Sequence, residues 1–301
     1  MHGDLISHHF GPAFISSNGT GTSVVYGTAG DERRSPILIP GAGEIPAQGA
    51  PTGVVFNGTN DFQQSNNFAP ARFIYAGSDG VISSWNADDA AIVVHDNSAT
   101  ASYTGIAIAQ DAGANFLYLA NFKEGRIEVY DAVFNETNKP FIDPGIPAAY
   151  APYNIRNIDG KLYVTYAKKD ANGNVEPGTG KGYVDVYNTD GSFSRRFASG
   201  GKLNAPWGIV KTNPQFWNFS GSQPNSILVG NYGDGRINAY SQAGNLYGAV
   251  LMHSGPITIP GLRNISFAPD SAVAEHGKLF FTAGPNGGQD GLYGYIHDVQ
   301  P

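Results

Sequence analysis

One recurring position in this sequence carries side chains that could bind or activate a small molecule. It opens a short apolar strand that returns along the chain, with Thr52, Tyr103-Thr104, Tyr153-Asn154, Trp207 and Arg263-Asn264 at successive copies. Aromatic rings combined with a few polar groups are typical of small-molecule sites. Arg263 stands where neighbouring copies have apolar or aromatic residues. A guanidinium there needs either a structural carboxylate or a ligand with an anionic or carbonyl oxygen.

A second set of candidate residues lies in the hairpin turns that follow these strands. Asn18, Asn121 and Asn231 occupy such turns, and Arg236 follows the last of them. Asparagine amides in turns often bond to their own backbone, so these side chains serve either the turn or a ligand. We expect them to lie farther from the centre of the site than the strand openings.

The element that positions both sets is a hairpin repeated six times. Each copy has an apolar strand, a turn rich in Asn, Asp or Gly, and a second strand ending in an aromatic residue. The turn glycines are Gly21, Gly80, Gly125, Gly182, Gly235 and Gly291. A period of roughly 45 to 60 residues is that of a propeller blade. The sequence predicts an all-β fold: a six-bladed β-propeller over residues 1–301, with four-stranded antiparallel blades around a central channel.

The ends of the chain are harder to assign to blades. Five inner strands accompany six hairpins, and the first hairpin begins at Phe14 with little chain before it. We expect Asp4–His8 to complete the last blade and close the ring, which leaves the first blade without its inner strand. In a propeller, inner-strand openings and hairpin turns emerge on one face, so both candidate sets should meet at one channel mouth.

The polar insertion from Lys168 to Lys181, inside the fourth hairpin, should rise on the same face. Its Asp170–Glu176 segment resembles a calcium loop but lacks the glycine and distal glutamate of an EF-hand. We interpret it as a solvated hairpin tip that could act as a lid. The chain has no Cys, and no motif for metal or nucleotide binding is found, so we expect neither a metal nor a cofactor.

Charge and hydropathy restrict the partners. The formal net charge is -7, which argues against nucleic acid and anionic membranes. No run of apolar residues is long enough to span a membrane. Glycosylation sequons favour a secreted glycoprotein whose signal peptide is not part of this sequence; they lie at Asn18, Asn57, Asn135, Asn218 and Asn264. Small hydrophobic or aromatic substrates are the expected partners, and the oligomeric state stays open.

Several stretches resemble one family, the NHL-like propellers of exported bacterial and fungal proteins. They include Ala50–Gly58, Gly160–Lys168, Leu203–Gly208, Val229–Asn238 and Phe281–Asn286. The resemblance implies the propeller fold. Its fungal members include intermolecular hetero-Diels–Alder cyclases, which join a tropolone o-quinone methide to a humulene-type sesquiterpene. This chain departs from the family pattern at Arg263-Asn264, where Trp-Gly is usual.

The resemblance therefore implies a cyclase or lyase-type enzyme of secondary metabolism. In that hypothesis Arg263, Tyr103 and Tyr153 are catalytic, and the remaining candidates bind substrate: Trp207, Thr52, Asn154, Asn264, Asn18, Asn121 and Asn231. Proximity and a donor near the tropolone oxygens would carry such a reaction. Two alternatives stay open, a non-catalytic binding propeller and a calcium-dependent lactonase. An Arg263 without an ion pair, facing tyrosine or tryptophan in a deep pocket, would favour an enzyme.

Overall fold

The computed structural model describes the backbone of residues 5–7 and residues 12–27, 30–43, 47–213, 216, 225–252, 255–267 and 277–297. Within these ranges the chain forms seven antiparallel sheets, of which six are blades and one is a separate two-stranded pair. Helical structure is limited there to single 3₁₀ turns at Asn18–Thr20 and Asn286–Gly288. No helix in the described ranges has the length and hydropathy of a membrane span.

The first three blades each contain four strands, which follow one another in chain order from the channel outwards. Blade 1 comprises β1 (Leu5–Ser7), β2 (Ala13–Ser17), β3 (Thr22–Tyr26) and β4 (Ile37–Leu38); blade 2 comprises β5 (Pro51–Phe56), β6 (Phe73–Gly77), β7 (Val81–Trp85) and β8 (Ile92–Asp96); blade 3 comprises β9 (Tyr103–Asp111), β10 (Ala114–Asn121), β11 (Arg126–Tyr130) and β12 (Glu136–Thr137).

Blades 4 and 5 repeat this pattern, and blade 6 has three strands in the described residues. Blade 4 comprises β13 (Tyr150–Ile158), β14 (Lys161–Lys168), β15 (Tyr183–Tyr187) and β16 (Phe193–Ser199); blade 5 comprises β17 (Pro206–Lys211), β18 (Ile227–Asn231), β19 (Ile237–Tyr240) and β20 (Leu246–Ala249); β21 (Leu251–Met252) and β22 (Gly255–Pro256) pair separately; blade 6 comprises β23 (Leu262–Phe267), β24 (Leu279–Ala283) and β25 (Leu292–Ile296).

The six-bladed propeller predicted from the repeats is confirmed, and its ring is closed by neighbouring inner strands. Each inner strand lies beside that of the next blade, and β23 lies beside β1. Strands inside the blades, such as β6 and β18, are buried along their whole length, because adjacent blades cover both faces. This burial explains why they are continuous apolar runs rather than alternating patterns.

The expected role of the amino-terminal segment was wrong. Leu5–Ser7 pairs antiparallel with Ala13–Ser17, so it is the inner strand of blade 1 and not the outer strand of the last blade. Consecutive strands joined by a short connection usually pair with each other. The local hairpin of β1 and β2 is therefore favoured over pairing of β1 with the distant carboxyl-terminal strand. Blade 1 is therefore complete at its inner edge.

Glycines in the inner strands let neighbouring blades approach closely. A Cβ atom added to Gly53 would lie 2.8 Å from Ile106 Cγ2, and one added to Gly208 would lie 2.6 Å from the Arg263 carbonyl oxygen. Contacts this short do not occur between real Cβ atoms and their neighbours, so a larger residue would push the blades apart. These glycines immediately follow Thr52 and Trp207, and they fix the spacing of the candidate residues around the channel.

Candidate functional site

The inner strands share an irregularity at the position that carries the candidate side chains. In five blades the register with the second strand shifts by one residue near the start of the inner strand. The extra residues are Thr52, Thr104, Tyr153, Trp207 and, in β23, one of the pair Arg263-Asn264. A β-bulge bends its strand and re-aims a side chain, and bulges are over-represented beside active sites. Here the repeated bulge directs five side chains to one cavity.

That cavity has a volume of about 260 Å³ and is lined by all five bulge side chains. Loops of the same face complete its wall with Asn18, Ser78, Ser102, Phe122 and the segment Gly173–Val175. The last segment belongs to the insertion inside the fourth hairpin, so the prediction that this insertion rises over the channel mouth is confirmed. We call this space the channel-mouth cavity.

Arg263 has neutral partners on both sides. Its Nη1 donates a hydrogen bond of 2.7 Å to the Tyr153 hydroxyl, and its guanidinium lies 4.1 Å from the ring centre of Tyr232. In the described part of the chain no carboxylate lies within ion-pair distance of Arg263. Arginine stays charged at any physiological pH. The cavity therefore holds a positive charge that the described residues do not neutralise.

Tyr153 is the neutral half of this pair. Burial raises the pKa of its phenol, although the neighbouring Arg263 acts to lower it. The hydroxyl accepts the arginine bond, and no described atom accepts its proton. The ring is held edge-on against Tyr232 and packs on Phe122, with ring centres 6.2 and 5.3 Å apart. Tyr153 can therefore donate a hydrogen bond to an oxygen of a ligand that Arg263 also binds.

Two other bulge residues tie the blades together across the channel. Trp207 Nε1 donates a hydrogen bond of 3.0 Å to the Thr104 carbonyl, which reaches from blade 5 to blade 3. Thr52 Oγ1 lies 2.7 Å from the Tyr103 carbonyl oxygen in the next blade and 3.0 Å from that of Ala76 in its own blade, and its single proton is donated between them. The Trp207 ring is almost fully buried, so its exposed edge forms a wall of the cavity rather than a mobile flap. These contacts make the site rigid.

Five predicted site residues do not line the cavity, and three of them serve contacts inside or between the blades. Tyr103 precedes the bulge of β9, is completely buried between blades, and donates a hydrogen bond of 2.5 Å to Glu128 Oε2. Asn121 Nδ2 donates to the same carboxylate at 2.7 Å, and Asn231 Nδ2 donates to the Lys202 carbonyl at 2.8 Å. Their assignment to catalysis or binding is corrected. The bulge re-aims the next side chain in β9 instead, and the asparagine amides serve their turns.

The remaining asparagines divide between the cavity wall and its support. Asn18 lines the cavity, and its Nδ2 donates to the Ala50 carbonyl at 2.9 Å. Asn154 is buried behind the wall and donates to the Trp207 carbonyl at 2.9 Å, which holds that bulge in place. Asn264 is also buried, and its backbone nitrogen donates to Thr282 Oγ1 at 3.3 Å. Asn154 thus positions a neighbouring strand, and neither Asn154 nor Asn264 lines the cavity.

Burial also bears on the expected glycosylation. Asn57 is 4% exposed and its Nδ2 donates to the carbonyls of Asp61 and Ala71, and Asn264 is 1% exposed. A glycan on either amide would have no room in the folded blades. Asn135 is exposed and Asn218 lies outside the described residues. The sequons therefore give no support for a glycoprotein at Asn57 and Asn264.

Sequence reasoning missed Tyr232, Phe122, Ser78 and Ser102. Tyr232 follows Asn231 in the hairpin of blade 5, and its ring supports Arg263. A signal was present, because an aromatic residue also follows Asn121 at the same place in blade 3. The repeated Asn-aromatic pair of the turns marks the rim of the cavity. Within the described ranges no three His, Asp or Glu side chains converge to hold a metal ion.

No family model matches the sequence. The chain is 35% identical over 299 residues to the uncharacterized protein R648 of Acanthamoeba polyphaga mimivirus, covering 94% of this chain and 71% of that protein. The chain belongs to this R648 family. The uncharacterized protein L690 of the same virus is 41% identical over 204 residues, which cover 64% of this chain and 51% of that relative.

The R648-family chain also resembles solved propellers. Selenomethionine-substituted virginiamycin B lyase from Staphylococcus aureus superposes with a TM-score of 0.54 at 14% identity, over 98% of this chain and 80% of the lyase. A streptogramin B lyase superposes with a TM-score of 0.53 at 13% identity, over 93% of this chain and 89% of that one. At such identities the likeness establishes the fold alone. Viral relatives without an assigned activity leave the fungal cyclase hypothesis without support.

Proposed function

We propose that this protein is a small-molecule enzyme whose channel-mouth cavity binds the head group of one ligand through a carbonyl or anionic oxygen. The observation that carries the proposal is the pairing of Arg263 with the neutral Tyr153 and Tyr232. A guanidinium used only for structure normally meets a carboxylate. Here its charge faces a cavity with apolar walls from Phe122 and Trp207, where an oxygen of a ligand completes its hydrogen bonding.

The donors in the cavity define the chemistry it supports. Arg263 and Tyr153 can both donate to one oxygen, and such donors stabilise negative charge that develops there in a transition state. No carboxylate or imidazole is among the lining residues, so the described wall offers no strong general base. The arrangement suits reactions driven by polarisation and alignment, as in cyclisation. Two solved propellers of the same fold are named as lyases, which agrees with an enzyme acting on a small molecule and says nothing of the reaction class.

The cavity volume argues for one ligand at a time. About 260 Å³ is below the range of roughly 300 to 1,000 Å³ typical of sites for drug-sized ligands. A tropolone o-quinone methide together with a humulene-type sesquiterpene would exceed this cavity, so we favour a single substrate over the intermolecular hetero-Diels–Alder reaction. The calcium-dependent lactonase alternative is disfavoured because no acidic ligand set lines the described wall.

Binding of a minimal head group tests the site. Benzoate carries the expected oxyanion on a flat ring, and benzamide is its neutral counterpart. Isothermal titration calorimetry should show benzoate binding more tightly than benzamide, and Arg263→Gln should weaken benzoate binding by about tenfold or more, because a charge-assisted bond is lost. Arg236→Gln removes the same charge from an exposed turn and should leave binding unchanged. Equal affinity of the wild type and Arg263→Gln would contradict the proposal.

The cyclase reaction has its own test. The protein is mixed with a hydroxymethyl tropolone and a humulene alcohol, and product yield and stereochemistry are compared with a reaction without protein. If the protein accelerates product formation and Arg263→Gln abolishes that acceleration, the intermolecular hetero-Diels–Alder reaction would be established despite the small cavity. An unchanged rate and stereochemistry would remove the cyclase hypothesis and leave the binding proposal standing on the calorimetry.

A further inference from the structure

A second cavity lies next to the first, at the junction of blades 5 and 6. It has a volume of about 210 Å³, and its walls are Tyr232, three prolines and a set of glycines. The prolines are Pro177, Pro260 and Pro285, and the glycines are Gly233, Gly261, Gly284 and Gly287. Asn286 completes the lining, which carries no charged side chain. We call this space the proline groove.

The wall between the two cavities is a stack of two side chains. Arg263 lines the channel-mouth cavity, Tyr232 lines the proline groove, and the guanidinium lies 4.1 Å from the tyrosine ring centre. The two spaces are therefore separated by little more than the thickness of one ring. A chain attached to a head group at Arg263 would have to pass the edge of this ring to reach the groove.

One loop covers both spaces. Gly173–Val175 of the insertion line the channel-mouth cavity, and Pro177 lines the groove. The loop is held in place, because Glu176 forms an ion pair of 2.8 Å with Lys168 and the Gly178 nitrogen donates to Asn204 Oδ1 at 2.6 Å. The same anchored loop therefore contributes wall residues to both the channel-mouth cavity and the proline groove.

We propose that the ligand is bipartite: its oxyanion binds Arg263 in the channel-mouth cavity, and an uncharged apolar tail lies in the proline groove. This inference rests on the proposed function and names its substrate class as aryl or alkyl carboxylates with an extended chain. Each cavity alone is smaller than a usual ligand site, and the two together fall within the usual range. The opposite character of the two linings, one cationic and one uncharged, gives such a ligand a single orientation.

A series of ω-phenylalkanoates tests the groove. Benzoate occupies the head position alone, and 3-phenylpropionate, 5-phenylpentanoate and 8-phenyloctanoate extend progressively towards the groove. Calorimetry should show affinity rising by about fourfold per buried methylene once the chain passes Tyr232, corresponding to about 0.8 kcal/mol each. Pro177→Asp places a charge at the groove and should cancel this gain. Ala171→Asp adds the same charge at an exposed position of the same loop that lines neither cavity, and should preserve the gain.

The outcomes separate this inference from the function on which it rests. A gain with chain length that Pro177→Asp abolishes and Ala171→Asp retains establishes the bipartite site. Arg263-dependent benzoate binding with no gain along the series, or with a gain that Pro177→Asp leaves intact, overturns the groove and keeps the proposed function. Affinities that do not depend on Arg263 for any member of the series overturn both.

Discussion

Two arginines in this propeller occupy opposite environments, although each stacks on a tyrosine ring. Arg196 in β16 forms ion pairs with Asp143 and Asp185, and its guanidinium lies 4.7 Å from the ring centre of Tyr183. Arg263 in β23 stacks on Tyr232 at 4.1 Å, but its hydrogen-bond partner is a phenol. In blade 4 two carboxylates thus neutralise the half-buried Arg196, whereas no described carboxylate neutralises Arg263 at the channel mouth.

The contrast shows how the same residue type serves the fold in one place and a ligand in another. The Asp185 side chain is fully buried and the Asp143 side chain is 7% exposed, so Arg196 compensates charges that water cannot reach. Arg263 faces an accessible cavity and compensates no described charge. Removing Arg196 should therefore damage stability, whereas removing Arg263 should damage binding.

The largest effect is expected from Arg196→Met. The substitution leaves buried carboxylates without their cation, and breaking a buried ion pair in this way costs about 3–5 kcal/mol. Urea unfolding at pH 7.5, followed by circular dichroism, should show this loss of unfolding free energy. Arg236→Met, at an exposed turn, is the control and should change stability by less than about 0.5 kcal/mol. Similar values for both variants would mean that the Arg196 cluster contributes nothing particular.

The second effect is a pH dependence that arises from Asp185. Burial raises its pKa to about 7 even though Arg196 acts in the opposite direction, and the ordinary value is 3.8. Between these values the folded protein holds a proton that the unfolded chain releases, so stability falls as the pH rises from about 4 to 7. Desolvation acts to raise the pKa of Asp143, but the hydrogen bonds from Arg196 and the Gly145 nitrogen, together with the Arg196 charge, lower it overall. The contribution of Asp143 is therefore lost only as the pH falls below this window.

The measurement is the unfolding free energy of the wild type and of Asp185→Asn across pH 4 to 8. We expect the wild type to lose roughly 2–4 kcal/mol relative to the variant over this range, since the amide carries no proton to release. Arg263→Gln should follow the wild-type curve, because it leaves the Asp185 cluster untouched. Parallel curves for the wild type and Asp185→Asn would place the pH dependence elsewhere.

The sequence predicted the channel-mouth site with Arg263 better than the Arg196 cluster of blade 4. The six hairpins and the strand openings identified the channel mouth, and Arg263 was singled out because its type broke the repeat. The one-residue bulges could not be predicted from the sequence, because the residue types in a bulged strand do not differ from those in a regular strand. Tyr103 was therefore assigned to the cavity, although Thr104, one residue later, is the side chain that the bulge directs there.

The Asp143–Asp185–Arg196 cluster could not be predicted either. Asp143 lies in the connection before blade 4, and Asp185 and Arg196 lie in its two outer strands. Only the pairing of β15 with β16 sets Asp185 opposite Arg196, and only the path of the connection brings Asp143 to them. Long-range pairing of this kind depends on register and loop path, which the spacing of charges along one chain does not encode.

A smaller effect is expected at the Trp207 wall of the channel-mouth cavity. Trp207→Phe removes the Nε1 donor to the Thr104 carbonyl and leaves space beside a buried ring. We expect a loss of roughly 1–3 kcal/mol in unfolding free energy and a several-fold weaker binding of benzoate. Trp85→Phe also removes an indole donor to a carbonyl, that of Asp88, far from the cavity, and should weaken stability without changing binding. Reduced binding in both variants would mean that stability alone limits it.

The smallest effect on stability is expected from Arg263→Met, and its size tests the contrast between Arg263 and Arg196. Methionine at position 263 keeps a flexible apolar chain against Tyr232, and sulfur–aromatic contacts replace part of the lost cation–π attraction. The Tyr153 hydroxyl loses its donor but lies at a cavity that water can enter, so its desolvation cost stays low. Arg263→Met should therefore change the unfolding free energy by less than about 1 kcal/mol while weakening benzoate binding by about tenfold or more. A loss of stability close to that of Arg196→Met would show that the fold requires the charge at the channel mouth, and the proposed site would lose the observation on which it rests.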